Sequence, residues 1–206
     1  MILHAILNVD VAGASGWTPA DLATAFLDGG APIIQLRAKD LASAPFLDLC
    51  DLVVELAEPY GATVIVNDRA DLAKMSKAGG VHVGQEDLAP SAARAILGPG
   101  AMIGYSTHTL EQVDAAATEP VDYIAVGPVF GTRSKSTGYD AVGLDFVAAA
   151  SARVDRPIVA IGGITLATAP KVLAAGATGV AVISDLLADG DPAARVAAYL
   201  RAMRQV

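Results

Sequence analysis

Two cations and an amide alternate along one short segment, and together they indicate anion binding. If this segment is a strand, Gln35, Arg37 and Lys39 share one face while Ile34 and Leu36 occupy the other. Should the fold turn the polar face away from water, two unpaired cations would be costly, so phosphate or pyrophosphate is expected beside them. The alternative is an edge strand whose polar face meets solvent, and the segment alone leaves both interpretations open.

A pair of carboxylates follows the next two apolar runs along the chain. Asp68 comes directly after Asn67, and Asp87 lies four residues beyond Val83. Such oxygen ligands suit Mg²⁺, which takes one or two carboxylates and completes its shell with water and substrate phosphate. The three histidines show no helical metal-ligand spacing, which disfavours a transition metal. Taken singly, each acid is better explained as a helix cap or a loop residue. Taken together with the cations of the segment 35–39, the two acids favour a metal site more strongly.

Glycines and a hydroxyl near the end of the chain predict a second anion site. Gly162 and Gly163 follow one apolar run, and Ser184 follows the next. These two apolar runs are the seventh and eighth along the chain. In (β/α)8 barrels, the loops after the seventh and eighth strands often bind phosphate through backbone N–H groups. Tight turns between strand and helix also require glycine, but the position of the pair favours phosphate.

The longest predicted loop runs from Gly127 to about Gly143 and contains the polar segment 132–135. A loop of this length is expected to act as a mobile lid, with an ordinary surface loop as the alternative.

His82 alternates with Val81 and Val83 along a predicted strand and is expected to be a hydrogen-bonded interior residue. His108 is a minor candidate for chemistry, and Cys50 is expected to be a buried, inert thiol.

Composition limits what kind of protein can carry these groups. The chain has 206 residues, 53% of them apolar and 17% charged, with a formal net charge of −8. This apolar content predicts one compact domain over residues 1–206. The acidic balance argues against nonspecific binding to nucleic acid or an anionic membrane, so we expect small-molecule substrates and a local anion site. The N-terminus lacks a signal-peptide pattern, which predicts a cytoplasmic protein; a homo-oligomer is left open.

The elements that must position these residues repeat eight times. Short apolar runs, each followed by an alanine- and leucine-rich helical pattern, predict strands near 3–9, 32–37, 62–67, 80–83, 101–105, 121–126, 157–161 and 179–183. Thr18, Thr109 and Asp191 are predicted to start helices, and Gly61, Gly79–Gly80, Gly98 and Gly176 to end them. Strands that are apolar on both faces indicate a parallel sheet, and eight units predict a single-domain (β/α)8 TIM barrel of the α/β class. The candidate residues would then share one rim, at the carboxyl ends of the strands.

The motifs in order resemble the thiamine-phosphate synthase family over essentially the whole chain. The matching segments are Gln35–Lys39, Val66–Asp68, Gly80–Asp87, Gly104–His108, Gly127–Phe130 with Thr132–Lys135, Ile161–Ile164 and Val182–Ser184. One position departs from the family pattern, because Ser134 stands where a second threonine is usual. The hydroxyl is kept and a methyl group is lost, which bears on substrate packing rather than on the chemistry.

The resemblance implies a role for each matching residue. Hydroxymethylpyrimidine pyrophosphate would be bound by Gln35, Leu36, Arg37, Ala38, Lys39, Asn67, Ser106 and Lys135; thiazole phosphate by Thr132, Arg133, Ser134, Gly163, Ile183 and Ser184; and Mg²⁺ by Asp68 and Asp87. Arg37, Lys39, Ser106 and Lys135 would be the catalytic residues. The implied reaction breaks the carbon–oxygen bond at the pyrimidine methylene, and the thiazole nitrogen attacks the resulting cation-like carbon. Positioned cations and Mg²⁺ would stabilise the departing pyrophosphate.

Three other functions fit parts of the pattern less well. A related thiazole tautomerase would not need the charged residues that bind pyrophosphate. A sugar-phosphate epimerase would need paired histidines beside its acids. A non-catalytic ligand-binding barrel would bind both substrates without releasing pyrophosphate.

Overall fold

Eight parallel strands close into a barrel in the computed structural model, which describes residues 1–131 and 138–205. The strands are β1 (Ile2–Asn8), β2 (Ile33–Arg37), β3 (Thr63–Asn67), β4 (Gly80–Val83), β5 (Met102–Thr107), β6 (Tyr123–Val126), β7 (Ile158–Ile161) and β8 (Gly179–Val182). Each strand pairs with the next, and β8 pairs back onto β1, where His4 lies opposite Ala181. The predicted TIM-barrel fold is confirmed.

Helices surround the barrel. Those in the described residues are α1 (Val9–Ala14), α2 (Pro19–Asp28), α3 (Ser43–Ala57), α4 (Ala70–Met75), α5 (Pro90–Leu97), α6 (Leu110–Ala117), α7 (Gly143–Arg153), α8 (Ala169–Ala174) and α9 (Pro192–Met203). Short 3₁₀ helices lie at Glu58–Tyr60 and Ser184–Leu187. Nowhere in the described ranges does a helix have both the length and the apolar character needed to cross a membrane.

Alternation along the strands separates two packed layers. Outward-facing residues such as Leu3, Ile34 and Leu36 are fully buried against the helices. Inward-facing residues such as Ile33 and Ile65 fill the barrel interior. The interior also contains buried polar side chains, among them His4, Gln35, Asn67, His82 and Ser106. Because inward-facing positions alternate with outward-facing ones, the polar side chains of β2 face the interior, which decides between the two interpretations that the segment alone left open.

All three predicted helix starts are confirmed. The side chains of Thr18 and Asp191 accept hydrogen bonds from the first turns of α2 and α9, and a proline follows each of them. Thr109 caps α6 by accepting from the Gln112 N–H at 3.3 Å. The Gln112 side chain completes the cap one residue further back than in a regular capping box, by accepting from the His108 N–H at 2.7 Å.

The predicted end of α4 at Gly79–Gly80 is wrong. The helix ends at Met75, and Lys77 takes the left-handed conformation, with φ of 56°. The glycines are needed for close packing instead. A Cβ at Gly79 would lie 2.6 Å from the Thr63 methyl carbon, and one at Gly80, which lies within β4, would overlap the Met102 carbonyl oxygen.

Cys50 lies on α3 and is fully buried, as predicted. Burial raises the pKa of its thiol to about 12. The thiolate, which is the reactive form, is therefore suppressed at neutral pH.

Candidate active site

A pocket opens at the carboxyl ends of the strands and contains about 900 Å³ of empty space, part of it open to solvent. The fold brings seven of the predicted residues to its wall. They are Gln35, Arg37, Asn67, Ser106, Gly163, Ile183 and Ser184. These residues come from five different strand ends, so the barrel gathers groups that are far apart in the sequence.

The β2 residues provide the amide and cationic groups on one side of the pocket. Gln35 is buried, and its amide donates to the Asn67 side-chain oxygen at 3.2 Å. The Arg37 Nε is also buried and has no hydrogen-bond partner among the described residues. A buried guanidinium N–H without a partner is costly, so this geometry favours an anionic ligand beside Arg37.

The predicted metal ligands lie together at the ends of β3 and β4. Asp68 has a left-handed backbone, with φ of 65°, and its Oδ2 lies 3.2 Å from Lys39 Nζ. Burial raises the pKa of Asp68; a hydrogen bond with the Asp87 side chain and its negative charge raise it further, and Lys39 partly offsets the increase. The two acids therefore interact directly.

Neither Asn67 nor Asp68 caps the following helix. Arg69 occupies the N-cap position of α4, with no side-chain cap bond. Asp87 accepts a hydrogen bond from the Gly84 N–H at 2.8 Å, as an ordinary loop acid would. The capping alternative for Asn67 and Asp68 is therefore wrong, and the loop role of Asp87 is compatible with ligand binding through its remaining lone pairs.

The donor set fits a hard divalent cation. In the described part of the chain, no three His, Cys, Asp or Glu side chains are grouped in a way that could hold a metal. A cation held by two carboxylates must take its other ligands from water and substrate. Mg²⁺ usually binds proteins in this way, because it retains water and bridges to phosphate oxygens.

The opposite wall of the pocket is formed by the loops after β7 and β8. Gly162 and Gly163 both have positive φ, of 98° and 62°. A Cβ at Gly163 would lie 2.5 Å from the Gly131 carbonyl oxygen, so glycine is required there by packing alone. The glycine pair fits a phosphate-binding loop, but its packing is a sufficient reason for glycine.

A partly buried ionic network supports this wall. The Oδ2 of Asp185 accepts from Tyr199 at 2.5 Å, from Arg195 Nη2 at 2.9 Å and from the Leu166 N–H at 3.0 Å. Leu166 belongs to the loop after β7, Asp185 follows Ser184, and the other two lie on α9. One carboxylate therefore connects both loops of the wall to α9. This network was not predicted from the sequence, although Arg195 and Tyr199 are four residues apart and share a helix face.

A second polar chain lies inside the barrel. The His82 ring nitrogens are 2.9 Å from the Tyr123 hydroxyl and 2.8 Å from Ser106 Oγ, which confirms His82 as a hydrogen-bonded interior residue.

His108 lies at the rim, where its Nδ1 is 2.5 Å from the Gly127 carbonyl oxygen and its ring stacks on Tyr139. His4 and Tyr123 also line the pocket, and neither was predicted as a site residue.

Some predicted substrate-binding residues lie elsewhere. Leu36 is fully buried in the outer layer and Ala38 is 7% exposed, so the side chains of both pack against the protein core. Only their backbone groups are placed to serve a ligand. Four further predicted residues lie outside the described residues, namely Thr132, Arg133, Ser134 and Lys135. The same is true of segment 132–137 of the predicted lid, which was expected to run from Gly127 to about Gly143.

A closed parallel barrel with a pocket at the carboxyl ends of its strands, lined by apolar residues and a smaller set of polar ones, defines a (β/α)8-barrel enzyme. Comparison with known proteins identifies the family. A model of the thiamine monophosphate synthase family matches residues 10–186. The chain therefore belongs to the thiamine monophosphate synthase family, and it is a transferase of the thiamine-phosphate synthase type.

Individual relatives agree with this assignment. Thiamine-phosphate synthase of Moorella thermoacetica is 41% identical over 204 residues, covering 99% of this chain and 94% of the relative. A bifunctional thiamine biosynthesis protein of Symbiobacterium thermophilum is 45% identical over 191 residues; the match covers 93% of this chain but 40% of that longer protein. The solved structure of thiamine phosphate pyrophosphorylase from Pyrococcus furiosus superposes with a TM-score of 0.90 at 29% identity, covering 99% and 96% of the two chains.

Proposed function

We propose that this enzyme joins hydroxymethylpyrimidine pyrophosphate to thiazole phosphate and releases pyrophosphate. The observation that carries the proposal is the cluster of Lys39, Asp68 and Asp87, which follows the adjacent ends of β2, β3 and β4. The unpartnered Arg37 Nε lies at the end of β2, two residues before Lys39. Two carboxylates next to two cations suit a diphosphate that is bound together with a divalent metal. The glycine loop and Ser184 on the facing wall would take the monophosphate of the second substrate.

The proposed reaction needs little proton transfer. The carbon–oxygen bond at the pyrimidine methylene breaks, and its electron pair leaves with pyrophosphate. The thiazole nitrogen then donates its lone pair to the same carbon, forming the new carbon–nitrogen bond. Arg37, Lys39 and Lys135 would stabilise the charge that develops on the leaving group, and Ser106 would contact the same substrate.

Asp68 and Asp87 would hold Mg²⁺. When bound, the metal supplies a positive charge that makes pyrophosphate a better leaving group. The remaining proposed contacts of the pyrimidine substrate come from Gln35, Asn67 and the backbone around Leu36 and Ala38. For the thiazole substrate they come from segment 132–134, Gly163, Ile183 and Ser184.

The proposal extends to the setting of the enzyme. We propose a cytoplasmic protein that forms one domain over residues 1–206 and acts on small molecules, without nucleic acid or membrane partners. Its acidic charge and its local anion-binding groups support this assignment.

A pyrophosphate-release assay tests the proposed function. We expect release to require both substrates together with Mg²⁺, and to stop when the metal is chelated. Binding of both substrates without release would instead support a non-catalytic barrel. Rearrangement of the thiazole substrate alone, without any pyrophosphate, would support the tautomerase.

The variant Asp87→Ala tests the metal site. We expect it to remain folded and to lose most turnover, by about 100-fold or more, because electrostatic stabilisation of the leaving group is lost. Asp48→Ala, which removes an exposed carboxylate on α3, is the matched control and should leave turnover unchanged. Normal Mg²⁺-dependent turnover in Asp87→Ala would count against the assignment.

A further inference from the structure

His4 lies at the base of the pocket and has no role in the function proposed so far. It faces the barrel interior from β1, opposite Ile33 on β2 and Ala181 on β8. The residue is 2% exposed, yet it forms part of the pocket wall. A ligand that reaches the base of the pocket would therefore meet its imidazole ring.

The neighbouring polar groups are already paired with one another. Ser106, His82 and Tyr123 form the hydrogen-bonded chain described above, and Gln35 is bonded to Asn67. The His4 ring, in contrast, makes no hydrogen bond within the ranges that the structure describes. Its contact with Tyr123 is ring against ring, at 4.9 Å between centroids and tilted by 60°. A buried imidazole in this situation has hydrogen-bonding capacity that a ligand can satisfy.

His4 is suited to an uncharged ligand group. Burial lowers the pKa of its imidazole to about 4, so the ring is neutral at physiological pH. A neutral imidazole has one N–H donor and one nitrogen acceptor, and it offers no positive charge to a phosphate. The base of the pocket therefore differs in chemistry from the cationic rim.

The distance between the base and the rim fits a substrate with one charged end and one ring. Arg37 lies four residues beyond Ile33, the partner of His4, which places the two levels roughly 13 Å apart along the strand. A pyrophosphate at the rim would leave its attached heterocycle pointing toward His4. An aminopyrimidine has both an amino donor and ring-nitrogen acceptors, whereas the reacting nitrogen of a thiazole must stay free to attack.

We propose that His4 is a specificity-determining residue that hydrogen-bonds the aminopyrimidine ring at the base of the barrel, an inference that rests on the proposed function. His4 thereby selects a ring bearing both donor and acceptor groups, while the rim binds the diphosphate. The tilted Tyr123 ring holds the imidazole in place from the side.

Calorimetric binding measurements separate the two ends of the substrate. In His4→Phe we expect hydroxymethylpyrimidine pyrophosphate to bind about tenfold more weakly, whereas inorganic pyrophosphate and thiazole phosphate bind within about twofold of wild type. His4→Gln keeps a donor and an acceptor and should recover most of the lost affinity. Equal weakening of all three ligands would show a merely structural role, and unchanged binding of the pyrimidine ligand would also overturn the proposal.

A measurement on the wild-type protein covers the case in which His4→Phe does not fold. The chain has three histidines, so their ring nitrogens are readily resolved by ¹⁵N NMR. The His4 signals should move when hydroxymethylpyrimidine pyrophosphate is added and stay in place with inorganic pyrophosphate. Unmoved His4 signals with normal pyrophosphate release would overturn this inference alone. Absence of pyrophosphate release in the wild-type assay would overturn the proposed function, whatever the His4 signals do.

Discussion

Lys39 forms an ion pair with Asp68, with 3.2 Å between Nζ and Oδ2. The family resemblance implies different ligands for the two residues, pyrophosphate for Lys39 and the metal for Asp68. Their contact places the expected diphosphate and metal sites side by side. The Lys39 side chain is 48% exposed, so it is free to turn from the carboxylate to a phosphate oxygen at little cost.

Asp68→Asn should stabilise the protein at neutral pH while it removes activity. The pKa of Asp68 is raised by burial and by Asp87, so the folded state binds its proton more tightly than the unfolded state does. Ionisation of Asp68 therefore costs stability as pH rises above its unfolded pKa, and the cost is absent at lower pH. At pH 7 without divalent ions, we expect the melting temperature to rise by about 2–4 °C, which corresponds to about 1 kcal/mol in the free energy of unfolding. Below about pH 4 we expect no rise in melting temperature.

Asp71→Asn is the matched control for this experiment. A hydrogen bond from Arg69 lowers the pKa of Asp71, which is the opposite direction. The ionised Asp71 carboxylate therefore favours the folded state above its unfolded pKa, and the variant should show no gain in melting temperature at neutral pH. A lower melting temperature for Asp68→Asn at pH 7 would contradict the predicted balance.

Tyr199→Phe should weaken binding of the monophosphate substrate. The change removes the hydrogen bond of 2.5 Å to Asp185, which connects the loops after β7 and β8 to α9. We expect KM for thiazole phosphate to rise about threefold to tenfold, because loss of the hydrogen bond should weaken the binding free energy of this substrate by about 1 kcal/mol. KM for the pyrimidine substrate and kcat should change little. Steady-state kinetics with each substrate varied in turn provide the measurement.

Tyr60→Phe controls for the loss of a tyrosine hydroxyl. Tyr60 also donates to a carboxylate, that of Asp28 at 2.7 Å, but the pair is exposed and neither residue lines the pocket. The variant should match wild type for both substrates. An equal rise of both KM values in Tyr199→Phe would show that the network supports the whole barrel rather than one wall.

Gly104→Ala should damage the interior of the barrel. Gly104 lies between His82 and Tyr123 on the paired strands, and an added Cβ would overlap the Tyr123 ring. The ring would have to move away from His82, and we expect a loss of about 1–3 kcal/mol in the free energy of unfolding. Chemical denaturation would measure this loss.

The same substitution at Gly13 should have the opposite effect. Gly13 is an exposed residue of α1, and a Cβ there would meet no atom within 4 Å. Gly13→Ala should stabilise the protein by about 0.5–1 kcal/mol because alanine favours the helix. If Gly104→Ala were as stable as wild type, the account of the Tyr123 packing would be wrong.

Alternation along β2 was sufficient to predict that Gln35 and Arg37 share a face, because a strand has a fixed side-chain period. Whether that face meets the barrel interior or solvent is decided by barrel closure and not by the segment itself. It could not predict the orientation of Lys39, which lies beyond the end of the strand and turns to Asp68. Likewise, Gly79 and Gly80 resembled a helix end, since glycine serves helix ends and close strand packing alike. Local sequence does not distinguish these two uses.

Long-range pairing explains the residues that the sequence analysis missed. His4 stands between the apolar residues Leu3 and Ala5 in a strand that is otherwise ordinary. Its position beside Tyr123, more than a hundred residues away, follows from barrel closure and interior packing. The role of Asp185 likewise depends on long-range contacts. It binds Arg195 and Tyr199 because α9 packs beside the loops after β7 and β8.

Barrel closure through β1 and β8 also has a consequence for synthesis of the protein on the ribosome. The pocket draws residues from the first strand and from the loop after the last, so its walls are complete only when nearly the whole chain has emerged. Until then β1 lacks one of its two neighbours, and its exposed edge is open to incorrect pairing. Nascent chains that stall before β8 should therefore be unable to bind substrate and should depend on chaperones.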